Sequence, residues 1–186
     1  MSTYVRPKLT GATVFFTVNL VARGTDLLVR HIDILRDAAS RTRRDKPFRI
    51  DAWVVLPDHM HCIWTLPEGD ADYSNRMGML KARFSRELGR SGYTPTLVHN
   101  ASGVVGGRNR DGNDKRVGAG PNQHKDESTI WQKRFWEHHI RDDRDYSDHV
   151  QYCWINPVKH GLVERAEDWP YSSYHRDNTQ ARSFGS

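Results

Sequence analysis

An α+β fold built on an antiparallel sheet is what this sequence predicts, from three observations. Runs of β-branched and aromatic residues alternate with amphipathic helical stretches, in the order β-α-β-β-α-β-α. The second and third of the strand-like runs are separated only by Pro57-Asp58, a connection that suits a hairpin. The 186 residues are enough for one well-buried core and short for two. Together these point to a ferredoxin-like, split βαβ plan with an added C-terminal helix. In that plan the helices cover one face of the sheet and leave the other available to a ligand.

The elements follow from local pattern. Residues 13–20 are β-branched and aromatic and read as a buried strand that Arg23-Gly24 closes. From Asp26 to about Arg44, Leu28, Ile32, Leu35 and Ala39 recur at helical spacing, with Asp26 as the N-cap and arginines crowding the last turn. Pro47 ends that helix, and Phe48 to Leu56 alternates as a second strand. His59 to Leu66 is the third strand, and Pro67-Glu68-Gly69-Asp70 a turn. Tyr73, Met77, Leu80, Phe84 and Leu88 then line one face of a helix whose other side carries Arg76, Lys81, Arg83, Arg86 and Arg90.

Residues 89–128 change character, holding eight of the fourteen glycines and a single aromatic, Tyr93. So polar and Gly-rich a stretch cannot offset its ordering entropy by burial, and it reads as a flexible insertion. Order resumes from Ile130 to Arg141 as a fourth strand, followed by a helix from Asp143 to Ile155 that Pro157 and Gly161 stop. The aromatic tail around Trp169-Pro170-Tyr171 is expected to lie back over the core. Residues 1–176 therefore read as one domain and 177–186 as a short tail.

Charge narrows the partner. The formal net charge is +5, and the first 50 residues hold ten Lys/Arg against four Asp. With the Arg76–Arg90 cluster this suits a polyanionic path, although solvated helix faces would explain either cluster alone. Two cysteines make neither a disulfide framework nor a zinc pattern. No apolar run reaches the ~18 residues of a membrane helix, and no secretion signal opens the chain. A cytosolic protein without membrane contact is the expectation.

The chemistry centres on Pro57-Asp58-His59-Met60-His61-Cys62-Ile63-Trp64. Strand side chains alternate, so His59, His61, Ile63 and Thr65 face one way and Met60, Cys62, Trp64 and Leu66 the other. Two imidazoles on one face can converge on one metal ion, though surface histidines share that spacing. Along the last helix, Tyr146, Val150, Cys153 and Pro157 form an apolar stripe, while His149, Tyr152 and Asn156 form a polar one. Tyr152 and Asn156 are neighbours at i, i+4. Spacing alone favours an ordinary amphipathic tyrosine there.

Three segments taken together carry more. Asp58 to Trp64, then Trp131-Gln132-Lys133-Arg134-Phe135-Trp136-Glu137-His138, then Tyr152-Cys153-Trp154-Ile155-Asn156-Pro157-Val158-Lys159-His160-Gly161 resemble the bacterial REP-associated tyrosine transposases, in the single-tyrosine HUH superfamily. The resemblance runs from about Tyr4 to Arg176, apart from the insertion. It implies that His59 and His61 are metal ligands, that Tyr152 is the nucleophile, and that Asn156 is the third ligand; Tyr146 falls outside the motif. It also implies metal-dependent cleavage and rejoining of single-stranded or hairpin DNA, of the REP-palindrome type, through a 5′-phosphotyrosine. Two imidazoles and an amide suit Mg²⁺ or Mn²⁺ better than a closed zinc site.

Around that centre, His149 is a general-base candidate on geometry, and Glu137 or His138 could approach from the neighbouring strand, but not both. Arg6, Lys8, Arg83 and Arg86 are candidate phosphate contacts. The expected setting is the bacterial cytoplasm, beside the nucleoid; monomer and homodimer both stay open. Two rivals remain at this point: a non-catalytic single-stranded nucleic-acid-binding module, and a metallophosphoesterase that would want more carboxylates.

Overall fold

The computed structural model describes residues 9–93 and 130–177. Residues 94–128, most of the expected insertion, lie outside the described part, as do Arg6 and Lys8. The strands are β1 (Thr13–Asn19), β2 (Arg49–Val55), β3 (His59–Thr65) and β4 (Trp136–His139). The helices are α1 (Leu27–Arg30), α2 (Ile32–Asp45), α3 (Tyr73–Arg90) and α4 (Asp143–Lys159). All strand pairings are antiparallel and the spatial order is β2-β3-β1-β4. That is the expected split βαβ architecture.

The alternation along β1 and β3 separates two apolar layers. Val14, Phe16, Val18, Met60, Cys62 and Trp64 face α2 and α3, where they meet Leu35, Ala39, Met77, Leu80 and Phe84. Each such side chain contributes about 1.5–3 kcal/mol when fully buried, so this layer holds the sheet and both helices together. On the opposite face Phe15, Ala52, Val54, Leu56 and Ile63 meet Cys153 of α4 and Trp169 of the tail. The second face is therefore only half open. α4 covers the β2–β3 side and leaves the β1–β4 side accessible.

The tail lies over the core as expected, and its polar atoms show how. Trp169 Nε1 donates to the Val55 carbonyl (2.9 Å) and Ser173 N to that of Trp53 (2.7 Å). Val55 N in turn donates to Tyr171 (2.9 Å), and Ser172 bridges Val54. The edge of β2 is thus capped by its own chain, which removes an unpaired edge.

Four local expectations change. The helix expected from Asp26 to Arg44 breaks at His31 (φ −114°, ψ 37°). Its first turn is tied to the hairpin by Leu28 N donating to Pro57 O (3.0 Å), and Asp26 pairs with Arg30 (2.8 Å) instead of capping. The fourth strand is short, because only Trp131, bridged to Leu20, and Trp136–His139 join the ladder. Pro157 does not stop α4. It occupies the last turn, where one lost ladder bond is tolerable, and Gly161 makes the stop in the left-handed region (φ +64°). Leu162 N donates to Pro157 O and Gly161 N to Val158 O, each at 2.9 Å, closing a Schellman motif.

Finally, Arg76 is no surface cation. Its side chain is 2% exposed and ion-paired to Asp70 at 2.6 Å. It also donates to the carbonyls of Lys46, Pro47 and Asp72 (3.3, 3.0 and 2.9 Å), pinning the start of α3 to the end of α2. The Arg76 guanidinium holds the Asp70 carboxyl down to about 2. Arg76→Met leaves those three carbonyls without their donor and should cost about 1–3 kcal/mol, read as a lower urea midpoint; Asp70, a third exposed, is left to water. The pair with Asp70 adds stability above that carboxyl's unfolded pKa of about 4 and loses it as pH falls towards 2. Wild type should therefore lose stability more steeply than the variant across that window.

Candidate active site

His59 and His61 lie on the α4-facing side of β3, 6% and 3% exposed, with ring centroids 5.1 Å apart and nearly perpendicular. Each ring is held through Nδ1. His59 Nδ1 bonds Asp58 Oδ1 at 2.7 Å, and Asp58 is itself fixed by Gly24 N (2.7 Å) and Arg23 Nε (3.3 Å). Gly24 sits at φ +73°, a conformation a side chain would strain, and so offers its N–H to that carboxylate. His61 Nδ1 bonds Thr17 Oγ1 at 2.9 Å across the β1–β3 pair. A carboxylate or hydroxyl behind the ring is the usual way to orient a metal-ligating histidine.

Assigning the Nδ1 proton to Thr17 leaves the His61 Nε2 lone pair buried with no hydrogen-bond partner. Asn156, from α4, is 1% exposed, and its Oδ1 is likewise buried and unpartnered. Leaving such acceptors unpaired costs about 1–3 kcal/mol each, and a cation would satisfy both. Burial pushes the His61 imidazole down to about 3, and the nearby His59 and His160 add to the effect. Burial also lowers His59, against the opposing pull of Asp58. Both rings are thus neutral near pH 7, the form that binds metal. The residues present fit a divalent ion.

Tyr152 is 37% exposed on α4. Its ring stands edge-on to His61 (5.1 Å, 77°) and to Phe15 (5.8 Å, 78°), and Lys159 Nζ lies 4.9 Å from its centroid. Tyr146 instead packs against the apolar layer, where burial raises its phenol. The helical-wheel separation of the two tyrosines is therefore real. A cavity of about 460 Å³ opens beside Tyr152, lined by Phe15, Thr17, Trp136, Asp148 and His149.

Next to it, Asp145 gathers three cations or potential cations. It receives Arg141 Nε (2.9 Å), His138 Nε2 (2.9 Å) and His149 Nδ1 (3.1 Å), and the Arg141 and His138 bonds hold its carboxyl far below the usual range. The His138, Asp145 and His149 ligand atoms lie within 4.8 Å of one another and could hold a metal. Arg141 already neutralises that carboxylate, however, and the unpartnered acceptors belong to the other set. His149 Nδ1 also faces the Asp145 backbone carbonyl (2.7 Å), so it carries the proton and leaves Nε2 as the basic nitrogen.

Other expected residues scatter. Strand parity puts His138 on the Tyr152 side and buries Glu137 on the other. Arg83 and Arg86 belong to α3, behind the sheet, and Arg83 is bonded to Thr42 (3.1 Å) and Asp45. The contacts of Thr17, Phe15, Asp58 and Lys159 emerge only from the structure; Asp58 and Lys159 stand within the segments that carry the resemblance, but Thr17 and Phe15 had no signal in the sequence.

A ferredoxin-like sheet presenting two oriented histidines to a tyrosine and an asparagine on a facing helix defines the class: single-tyrosine HUH enzymes. Comparison with known proteins sharpens this, although no family model matches the chain. It is 44% identical to a REP-associated tyrosine transposase of Escherichia coli (strain K12) over 177 residues, covering 95% of this chain and 85% of that protein. It is 41% identical to a putative REP-associated tyrosine transposase of Haemophilus influenzae, covering 95% and 88%. A solved structure of a REP-associated tyrosine transposase bound to a REP hairpin matches with a TM-score of 0.75 and 43% identity, over 97% of this chain and 87% of that one. The chain belongs to the REP-associated tyrosine transposases.

One consequence concerns pH. Because the folded His61 titrates near 3 and an unperturbed histidine near 6.5, the unfolded chain takes up the proton first. Stability in chelator-treated buffer should be full above about pH 6.5 and fall progressively towards pH 3. His61→Gln should flatten that slope in urea titrations between pH 7 and pH 5.

Proposed function

We propose that this protein cuts and rejoins single-stranded DNA at the foot of a REP-type hairpin, through a 5′-phosphotyrosine on Tyr152. The observation that carries this is the Tyr152 ring set 5.1 Å from that of His61, whose buried Nε2 has no partner, with a second unpartnered buried acceptor, Asn156 Oδ1, four residues along the same helix. The hairpin in the structure of the matching transposase supports the substrate. We take residues 1–176 as the catalytic domain and the bacterial cytoplasm, beside the nucleoid, as its setting. Among the described residues no helix is long and apolar enough to cross a membrane.

In this reading His59, His61 and Asn156 hold Mg²⁺ or Mn²⁺, with Asp58 and Thr17 keeping the rings aimed. A divalent ion held there would supply stabilisation of the charge that builds on the scissile phosphate. Tyr152 Oη forms a bond to phosphorus as the P–O3′ bond breaks, and the departing 3′-oxygen takes a proton from water to become a hydroxyl. The phenolic proton passes to a base, for which His149 Nε2 is the candidate in the same cavity. Energy stays in the phosphotyrosine, so a 3′-hydroxyl can attack it and expel Tyr152 without ATP. A phenol of pKa ~10 leaves readily enough for that reversal.

Incubating labelled REP-hairpin DNA with the protein and Mn²⁺, then denaturing, should yield a covalent adduct that Tyr152→Phe abolishes. An adduct that survives there but vanishes in Tyr146→Phe would move the nucleophile. Binding without an adduct under any metal would favour a binding module, and multiple turnover without one a phosphoesterase. Thr17→Val removes the partner of His61 and should raise the Mn²⁺ concentration for half-maximal adduct about 10–100-fold, as second-shell losses do.

A further inference from the structure

We propose that Trp136 is a stacking platform for one unpaired base of the DNA strand, beside the phosphate that Tyr152 attacks. The inference rests on the DNA-cleaving reading above and goes beyond it, since no comparison assigns Trp136 a role. Trp136 lies on β4, an outer strand of the sheet, and is 56% exposed, the one tryptophan among the exposed large apolar residues described. Leaving an indole in water forgoes a large burial gain. Something on this surface should cover it.

Register places it at the chemistry. Trp136 pairs directly with Thr17, and Thr17 pairs directly with His61. The three form one row across β4, β1 and β3, on the face that carries the site. Two strand spacings put the indole roughly 10 Å from the His61 ring. It also lines the same cavity as Tyr152.

The platform is braced. The indole lies parallel to His138 (6.0 Å, 6°), His138 stacks on His149 (4.7 Å, 13°), and Phe15 meets the indole edge-on at 5.8 Å. Asp145 ties both imidazoles down. A rigid ring loses little entropy on binding a second one. On its other side, round the β4 edge towards α3, Trp136 borders a groove of about 850 Å³ that includes Lys133 and Arg134, with Lys81, bonded to Gln132 O (2.8 Å), and the carboxylate of Glu137. Trp136 is thus common to the groove that holds Lys133 and Arg134 and to the cavity that holds Tyr152. This is the combination by which proteins bind single strands: backbone phosphates on cations, bases on aromatic faces.

The test uses the full chain, Mn²⁺, and REP-hairpin oligonucleotides in which each base of the single-stranded flank is replaced in turn by an abasic site. Stacking of about 1–3 kcal/mol per base predicts that Trp136→Ala weakens binding about 5–150-fold, while Trp136→Phe keeps most of it. One abasic position should weaken wild type similarly and leave Trp136→Ala unaffected. Circular dichroism and melting should match wild type, since the side chain is exposed. Unchanged affinity in Trp136→Ala overturns the proposal, and so does a loss coupled to no single base. A change in sedimentation of Trp136→Ala would mean that the indole covers a second copy, which also overturns it. If wild type binds and shows the coupling but forms no adduct, the cleavage reading fails and the platform stands. If wild type does not bind the hairpin, both fail.

Discussion

The register between β1 and β3 is the constraint on which the rest depends. It sets Thr17 opposite His61 and Phe16 opposite Cys62, so one strand pair separates core from chemistry residue by residue. A slip of one residue would turn both histidines into the layer under α2 and α3 and bring Cys62 and Trp64 out. The cost of burying those imidazoles among Phe16, Met77 and Leu80 would oppose such a slip, as would exposing the Trp64 indole. The apolar alternation that stabilises the sheet therefore also aims the catalytic groups, at no separate cost in sequence.

The site itself runs against stability. A buried imidazole nitrogen, His61 Nε2, and a buried amide oxygen, Asn156 Oδ1, are kept short of partners, whereas buried Arg76 is satisfied by three carbonyls and Asp70. Such arrangements persist when the surrounding structure over-determines them. Here Asp58, anchored by Gly24 and Arg23, fixes one ring; Thr17, held in the centre of the sheet, fixes the other; and α4 brings in Asn156 on a buried turn. A cation that binds the folded state alone would return stability by mass action.

Phe15 joins the parts. It touches the rings of His61, Trp136, His149 and Tyr152, linking strand histidine, edge-strand indole and helix tyrosine in one aromatic cluster. α4 can lie close over this cluster because its apolar stripe, ending at Cys153 and Pro157, seats on Ala52, Val54 and Ile63. The same helix thus packs along one stripe and presents His149, Tyr152 and Asn156 along the next. Asp145 at its N-terminal end locks His138 and His149 against each other.

Much of this was legible in the chain. Element order, the faces of β3, the two stripes of α4 and the return of the aromatic tail all follow from periods of two and 3.6 residues, which are properties of single segments. What needed the tertiary structure were relations between segments. Pairing of Thr17 with His61 and of Trp136 with Thr17 depends on strand register, which no local pattern encodes. Arg76 counts as a surface cation until α2 and α3 are docked around it; Arg83 likewise faces DNA or Asp45 according to how those helices pack. Pro157 reads as a helix stop from its own chemistry, yet Gly161 outranks it because only there does the backbone turn left-handed and satisfy the last carbonyls. The sequence by itself determined which residues could do the chemistry; packing between distant segments decided which atoms are held, which are left bare, and where the indole stands, because those depend on neighbours that chain order does not specify.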